Sequence, residues 1–178
     1  MAIAIVFETH SMTEDNERGI ATGWEPSRLS GPGREQAVQL GERRKADGLT
    51  AVYSSDLERA VETAVLAISR NGVPLAKDQR LRECHFGSWA GKSRAHIDST
   101  RTAFIDKRYP EGESWREAVG RVGGFLQDLK AFSDNSRILV IGHMATWISF
   151  EHLLNKRDLR ELLERGRDWQ PGWEYTLL

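Results

Sequence analysis

Residues Ala2 to Phe7 form a short unbroken apolar run, and its length and Ile/Val content predict a buried strand of a parallel sheet. The run ends at Glu8-Thr9-His10-Ser11. From Ser11 to Gly33 the chain is polar and rich in Gly, Pro, Asn and Ser, the composition of a long functional loop, and Ser30-Gly-Pro-Gly33 marks a helix start. Across 34–47, Ala37, Val38, Leu40, Gly41 and Ala46 recur among charged residues as an amphipathic helix closed by Gly48. Thr50 to Tyr53 reads as a second strand. Ser54-Ser55-Asp56 caps a helix with Leu57, Ala60, Val61, Ala64, Val65 and Ile68 at helical spacing, running to Asn71-Gly72. This order implies βαβ units with right-handed crossovers and an α/β fold.

Leu75 to Lys77 is a third strand, followed by an irregular stretch through Gly91. Helices are expected near 93–108 and from Ser114 to Phe132, the latter weakened at Gly120, Gly123 and Gly124 by up to ~1 kcal/mol each relative to alanine. Arg137 to Ile141 is the clearest remaining strand and runs straight into Gly142-His143. Helices over Ala145–Leu154 and Asp158–Arg165 and a strand over Trp173–Leu177 follow. The charged stretch from Asn155 to Arg167 mixes both signs and reads as a solvated helix face.

At 178 residues the chain fits one domain over 1–178, with about 78–110 as an insertion over the site. Lys and Arg total 25 against 26 Asp and Glu, so there is no basic field for nucleic acid and none is expected as a partner. Cys84 is the single cysteine and forms no intramolecular disulfide. The N-terminal apolar run is too short for a signal peptide or a membrane span. The expectation is a soluble, cytoplasmic protein away from the membrane.

Two histidines change the picture. His10 and His143 each follow a predicted buried strand, and open α/β sheets bind ligands at the carboxyl ends of their strands. Arg59 lies one turn into the helix after the second strand and reaches the same rim. Around these residues stand Asn16, Thr22-Gly23-Trp24, Ser54-Ser-Asp-Leu-Glu-Arg-Ala60 with Thr63-Ala64, Leu81-Arg-Glu83 before Phe86-Gly87 and Trp89, Gly112-Glu-Ser114, and Val140-Ile-Gly-His143. That ordered set resembles the histidine phosphatase superfamily, also called phosphoglycerate mutase-like, from Ile3 to about Phe150.

The resemblance implies a three-layer αβα sandwich with a mostly parallel central sheet, and a phosphatase rather than a mutase. His10 would be the nucleophile that forms a phosphohistidine. Arg59, His143 and Asn16 would hold the equatorial oxygens, and Glu83 would protonate the leaving oxygen and then take a proton from water. Thr9, Thr22, Gly23 and Met144 would complete the substrate-binding set. The scheme uses no cofactor and no metal, and His85, His96 and His152 lack partners at metal-ligand spacing. The substrate would be a small phosphorylated molecule.

Thr9-His10-Ser11 departs from the family's Arg-His-Gly, so a phosphate-holding arginine is missing, while Ile20 replaces a further arginine and Met144 a glycine. The pocket should then be less cationic, with His10 titrating higher than beside two arginines. Glu8 would need an arginine such as Arg18 or Arg28. Trp24, Trp89 and Trp147 follow site motifs; most of the six tryptophans are expected to pack in the core and on the surface, and the alternative is that some line the pocket and favour a substrate with an apolar or aromatic part. Two alternatives stay open: non-phosphate acid-base chemistry on His10, His143, Glu8 and Glu83, or a non-catalytic binding or regulatory module. Trp169 and Trp173 near the last strand either form a homodimer interface or close the domain.

Overall fold

Apolar runs that bury both of their faces build the central sheet. The computed structural model describes residues 2–68, 72–132 and 136–178. Strands β1 (Ile3–Thr9), β2 (Ala51–Ser54), β3 (Leu75–Lys77), β4 (Arg137–Gly142) and β5 (Trp173–Leu177) lie in the order β3-β2-β4-β1-β5. The pairings among β1 to β4 are parallel, whereas β5 joins β1 antiparallel.

Successive side chains of a strand point to opposite faces, and the core divides accordingly. Ile5, Phe7, Ile138 and Val140 enter one core; Val6, Leu139 and Ile141 enter the other. Helices α2 (Gly31–Arg44) and α3 (Glu58–Ile68) cover the second face through Leu40, Ala60, Ala64 and Ala67. The first face receives α5 (Trp115–Phe132), α6 (Met144–Leu153) and α7 (Leu159–Arg165), with Phe125, Phe150 and Leu162 buried against it. This is the αβα sandwich that the family resemblance implies. The predicted end of α3 at Asn71 lies outside the described residues.

Four differences from the sequence reading have local causes. Strand β1 runs two residues past Phe7, because Glu8 and Thr9 continue the ladder opposite Ile141 and Gly142. The buried Glu8 carboxylate is neutralised at 2.8 Å by Arg44 and at 3.5 Å by Arg43 of α2, not by Arg18 or Arg28; Arg18 pairs with Asp15 instead. The loop 11–33 carries a one-turn helix, α1 (Glu14–Glu17), closed by reciprocal bonds between Thr13 and Asn16.

The fourth difference is the helix expected near 93–108, which stops early. Helix α4 (Arg94–Thr100) gives way to a 3-10 turn at Arg101–Phe104. The Ser99 and Thr100 hydroxyls donate back to the His96 carbonyl, competing with the ladder, and the Arg101 guanidinium turns inward to the Leu163 carbonyl. By contrast α5 continues through its three glycines, because Trp115, Ala118, Val122, Phe125 and Leu129 bury one side of it.

Candidate active site

The ladder places Thr9 beside Gly142 and Ser54 beside Ile141, so the chain leaves β1, β4 and β2 at one edge of the sheet. His10 is the first residue beyond β1, and its backbone N–H donates to the Gly142 carbonyl at 3.0 Å. Its ring Nδ1 lies 2.8 Å from the Ser11 carbonyl. A carbonyl can only accept, so Nδ1 carries the hydrogen and Nε2 keeps its lone pair. The turn is pinned to α3: the Ser11 N–H donates to the Thr63 hydroxyl at 3.0 Å, and that hydroxyl donates to the Arg59 carbonyl at 2.7 Å.

Arg59 is buried, and its guanidinium donates to the carbonyls of Gly23 at 2.7 Å and Glu25 at 3.4 Å. Thr22 donates to Asp15 at 3.0 Å, which ties this loop to α1. Asn16 offers its Oδ1 to the Thr13 N–H, leaving its amide N–H groups for the cavity. Gly23 sits at φ +60, and an added Cβ would stand 3.1 Å from the Phe86 ring, so the loop that receives Arg59 requires glycine there.

His143 caps α6, its backbone N–H donating to the Thr146 hydroxyl at 3.1 Å. Its ring centroid lies 5.0 Å from that of His10. The ring is buried and neither nitrogen has a partner among the described residues, an unsatisfied group facing a cavity. Gly142 makes the cap possible, since a Cβ there would fall 2.4 Å from the Thr146 Oγ1. Gly142→Ala is expected to cost about 1–3 kcal/mol and to displace His143, read as a lowered thermal midpoint together with lost activity. Unchanged values in both would remove the role given to the cap.

Glu83 closes the site. Its carboxylate accepts N–H bonds from Cys84 at 2.8 Å, Ala145 at 3.0 Å and Met144 at 3.2 Å, which leaves about one of its four lone-pair sites for a ligand. The Glu83 carbonyl is held by the Trp24 indole at 2.6 Å and by Arg121 at 2.8 Å.

The nine residues singled out from sequence, Thr9, His10, Asn16, Thr22, Gly23, Arg59, Glu83, His143 and Met144, all line two adjoining cavities. The larger has a volume of about 380 Å³, room for a small organic ligand. Its tryptophan is Trp169, while Trp115 lines the smaller cavity; neither was expected there. Trp24, Trp89 and Trp147 pack elsewhere, on Arg82 and His85, on Phe104 and Tyr109, and on Trp173. Among the described residues no cluster of His, Cys, Asp or Glu could hold a metal ion, and no helix is long and apolar enough to cross a membrane.

The pocket is also more cationic than Thr9 suggests, because Arg94 of α4 and Arg167 after α7 line it. Burial first, then Arg59, lowers the His10 imidazole to about 3, with Arg94 and Arg167 adding to the effect. His10 therefore does not titrate high. Burial, Arg59 and His10 push His143 well below the usual histidine range as well. Both rings are neutral at pH 7. Proton NMR of the histidine C–H resonances is expected to show no His10 midpoint between about pH 5 and 8, and a midpoint near 6.5 would contradict this electrostatic picture. The unfolded chain takes up these protons near pH 6.5, so their contribution to stability is present above that value and falls as pH drops towards 3.

Residues 5–166 match the histidine phosphatase superfamily (branch 1), and the chain belongs to that superfamily. A protein of Escherichia coli O139:H28 named "Probable phosphoglycerate mutase GpmB" is 32% identical over 145 residues, covering 75% of this chain and 66% of its own length. The chain thus spans just under two thirds of the length of that relative. Among solved structures, a mycobacterial glucosyl-3-phosphoglycerate phosphatase superposes with a TM-score of 0.80 at 26% identity, covering 93% of this chain and 85% of its own. YhfR of Bacillus stearothermophilus gives 0.81 at 25% identity, covering 94% and 86%.

Proposed function

We propose that this protein hydrolyses a small organic phosphomonoester through a phosphohistidine on His10, within a single domain whose residues 78–110 roof the site. The observation that carries the reading is the His10 tautomer: Nδ1–H is spent on the Ser11 carbonyl, and a neutral Nε2 faces the cavity that His143, Arg59 and Asn16 share. The Nε2 lone pair attacks phosphorus, an N–P bond forms, and the P–O bond to the alcohol breaks as Glu83 gives the departing oxygen a proton. Water then attacks phosphorus, its proton passes to Glu83, and the P–N bond breaks to release phosphate and neutral His10. Arg59, His143 and Asn16 hold the equatorial oxygens, where charge neutralisation supplies most of the rate.

The apolar part of the substrate rests on Trp169, which is 72% exposed and lines the larger cavity beside Met12 and Met144. Rapid mixing with an aryl phosphate, followed by quenching in base, is expected to trap a phosphoryl group that is acid-labile and maps to the His10 peptide. Phosphate release without a phosphoenzyme on His10 would refute the scheme. The name of the Escherichia coli relative supports transfer to a second hydroxyl as the other reading. Both begin with the same phosphoenzyme, and analysis of products with a phosphorylated hydroxy acid separates them.

A further inference from the structure

Thr9 supplies no cation where the resemblance calls for one, yet the cavity beside it holds a guanidinium from a distant part of the chain. Gly166, at φ 65, turns the chain after α7 and sends Arg167 back over the site. The Arg167 guanidinium carbon lies 5.0 Å from the centroid of Trp173. Trp173 is in turn packed on Phe7 of β1 with ring centroids 5.7 Å apart, so the stack is seated on the strand that ends at Thr9. Arg167 is half-buried and lines the same cavity as Thr9, His10 and His143. Among the described residues it has neither an ion-pair partner nor a hydrogen-bond acceptor.

A guanidinium carries five N–H donors in a rigid fork that fits phosphate, and holding it partly out of water with none of them engaged is costly unless an anion arrives. Glu83 lies near enough to favour the charge on Arg167, but among the described residues no carboxylate takes an N–H of its fork. Glu83 is occupied by three backbone N–H groups, and Asp98 pairs with Arg101 at 3.2 Å.

We infer that Arg167 clamps the phosphoryl group attacked by His10, taking the place of the arginine missing at Thr9. The inference rests on the phosphomonoesterase reading for its chemistry. It accounts for a cation delivered by the α7–β5 loop in a chain whose β1 motif lost its own. It agrees with the lowering of His10 by Arg167, which places the two within electrostatic reach.

The test uses the full-length protein with inorganic phosphate as the calorimetric ligand and an aryl phosphate as substrate, comparing wild type, Arg167→Gln, Arg167→Lys and the double variant Thr9→Arg/Arg167→Gln. Arg167→Gln is expected to weaken phosphate binding by about 10- to 100-fold and to lower kcat/KM at least as much. The double variant is expected to recover most of the phosphate affinity, which a structural role for Arg167 would not produce. The groups facing His10 are Arg59, Arg94, Arg167, Glu83 and His143. Loss of one cation among them moves the His10 NMR midpoint upward.

Unchanged phosphate affinity in Arg167→Gln overturns the clamp. So does weakening confined to substrates with a second anionic group, which would place Arg167 on that remote group. Arg167→Lys keeps the charge without the fork, covers the case in which the Gln variant folds poorly, and is expected to lose affinity severalfold; parity with wild type also overturns the clamp. A wild type that binds phosphate but turns over no ester, with binding lost in Arg167→Gln, would uphold the clamp and refute the hydrolase reading.

Discussion

His10→Ala is expected to lower phosphate release from an aryl phosphate by about 10⁴-fold or more, because removing the nucleophile leaves only binding and charge stabilisation by the rest of the pocket. The loss should fall on kcat. Phosphate binding should persist, since Arg59 and His143 remain, with Arg94 and Arg167 at the cavity wall. The fold should persist too. Among the described residues the His10 side chain makes one hydrogen bond, to the Ser11 carbonyl, while the β1–β4 junction depends on its backbone N–H, which alanine retains. Removing a ring that burial holds neutral also removes its share of the acid sensitivity, so the variant should lose less stability than wild type as pH falls from 6.5 towards 3. Steady-state kinetics with circular dichroism would check both parts. A variant that folds and keeps more than about a tenth of the activity would place the nucleophile elsewhere.

Arg59→Ala is expected to cost about 10³-fold in kcat/KM, the magnitude associated with an arginine that stabilises phosphoryl-transfer charge. Here the position is structural as well as electrostatic. The guanidinium donates to the Gly23 and Glu25 carbonyls, so truncation frees the loop that carries Thr22 and Gly23 and leaves buried acceptors unpaired, at about 1–3 kcal/mol. It also removes the leading cation acting on His10, and the His10 midpoint should rise. Arg59→Lys should recover little, because an ammonium cannot bridge two carbonyls and still present a planar fork to an anion. A Lys variant with wild-type kcat/KM, or an Ala variant altered only a few-fold in KM, would show that Arg59 is a loop anchor rather than a phosphate ligand.

The two histidines were legible because each is attached to a strong local signal. Continuous apolar runs over β1 and β4 predict buried parallel strands, and residues one step past such strands reach the rim where ligands bind. The capped helix after β2 places Arg59 near the same rim, and its selection as a site residue came from the ordered motifs that carry the resemblance. Glu83 depended on the resemblance, since nothing local to Leu81-Arg-Glu83 indicates that the N–H groups of Met144 and Ala145 will meet its carboxylate from more than sixty residues away.

The partners of charged and aromatic side chains are less legible in the sequence. The partner of Glu8 is Arg44, which looks from the sequence like one more solvated residue near the end of an amphipathic helix. Arg167 belongs to a mixed-charge stretch that reads as surface, and Trp169 gives no periodic signal. Trp24, close to a site motif in sequence, supports the Glu83 backbone rather than lining the pocket. Burial of long polar side chains depends on which loops cross above the sheet. That is a property of the assembled chain rather than of a local window.

By itself the sequence determined the order of the strands and of the longer helices, the α/β class and the placement of the histidine pair after two strands, because hydrophobic periodicity and capping are short-range and have few solutions, while the three-layer sandwich came from the family resemblance. Only the tertiary structure decided the electrostatics of the site: the His10 tautomer, the neutral imidazoles, the three N–H groups on Glu83, and the arginines Arg94 and Arg167 that line the cavity with Thr9. The physical reason is distance. Desolvation and Coulomb interaction act through space between groups that the chain separates, and their strength is set once the fold has excluded water from between them.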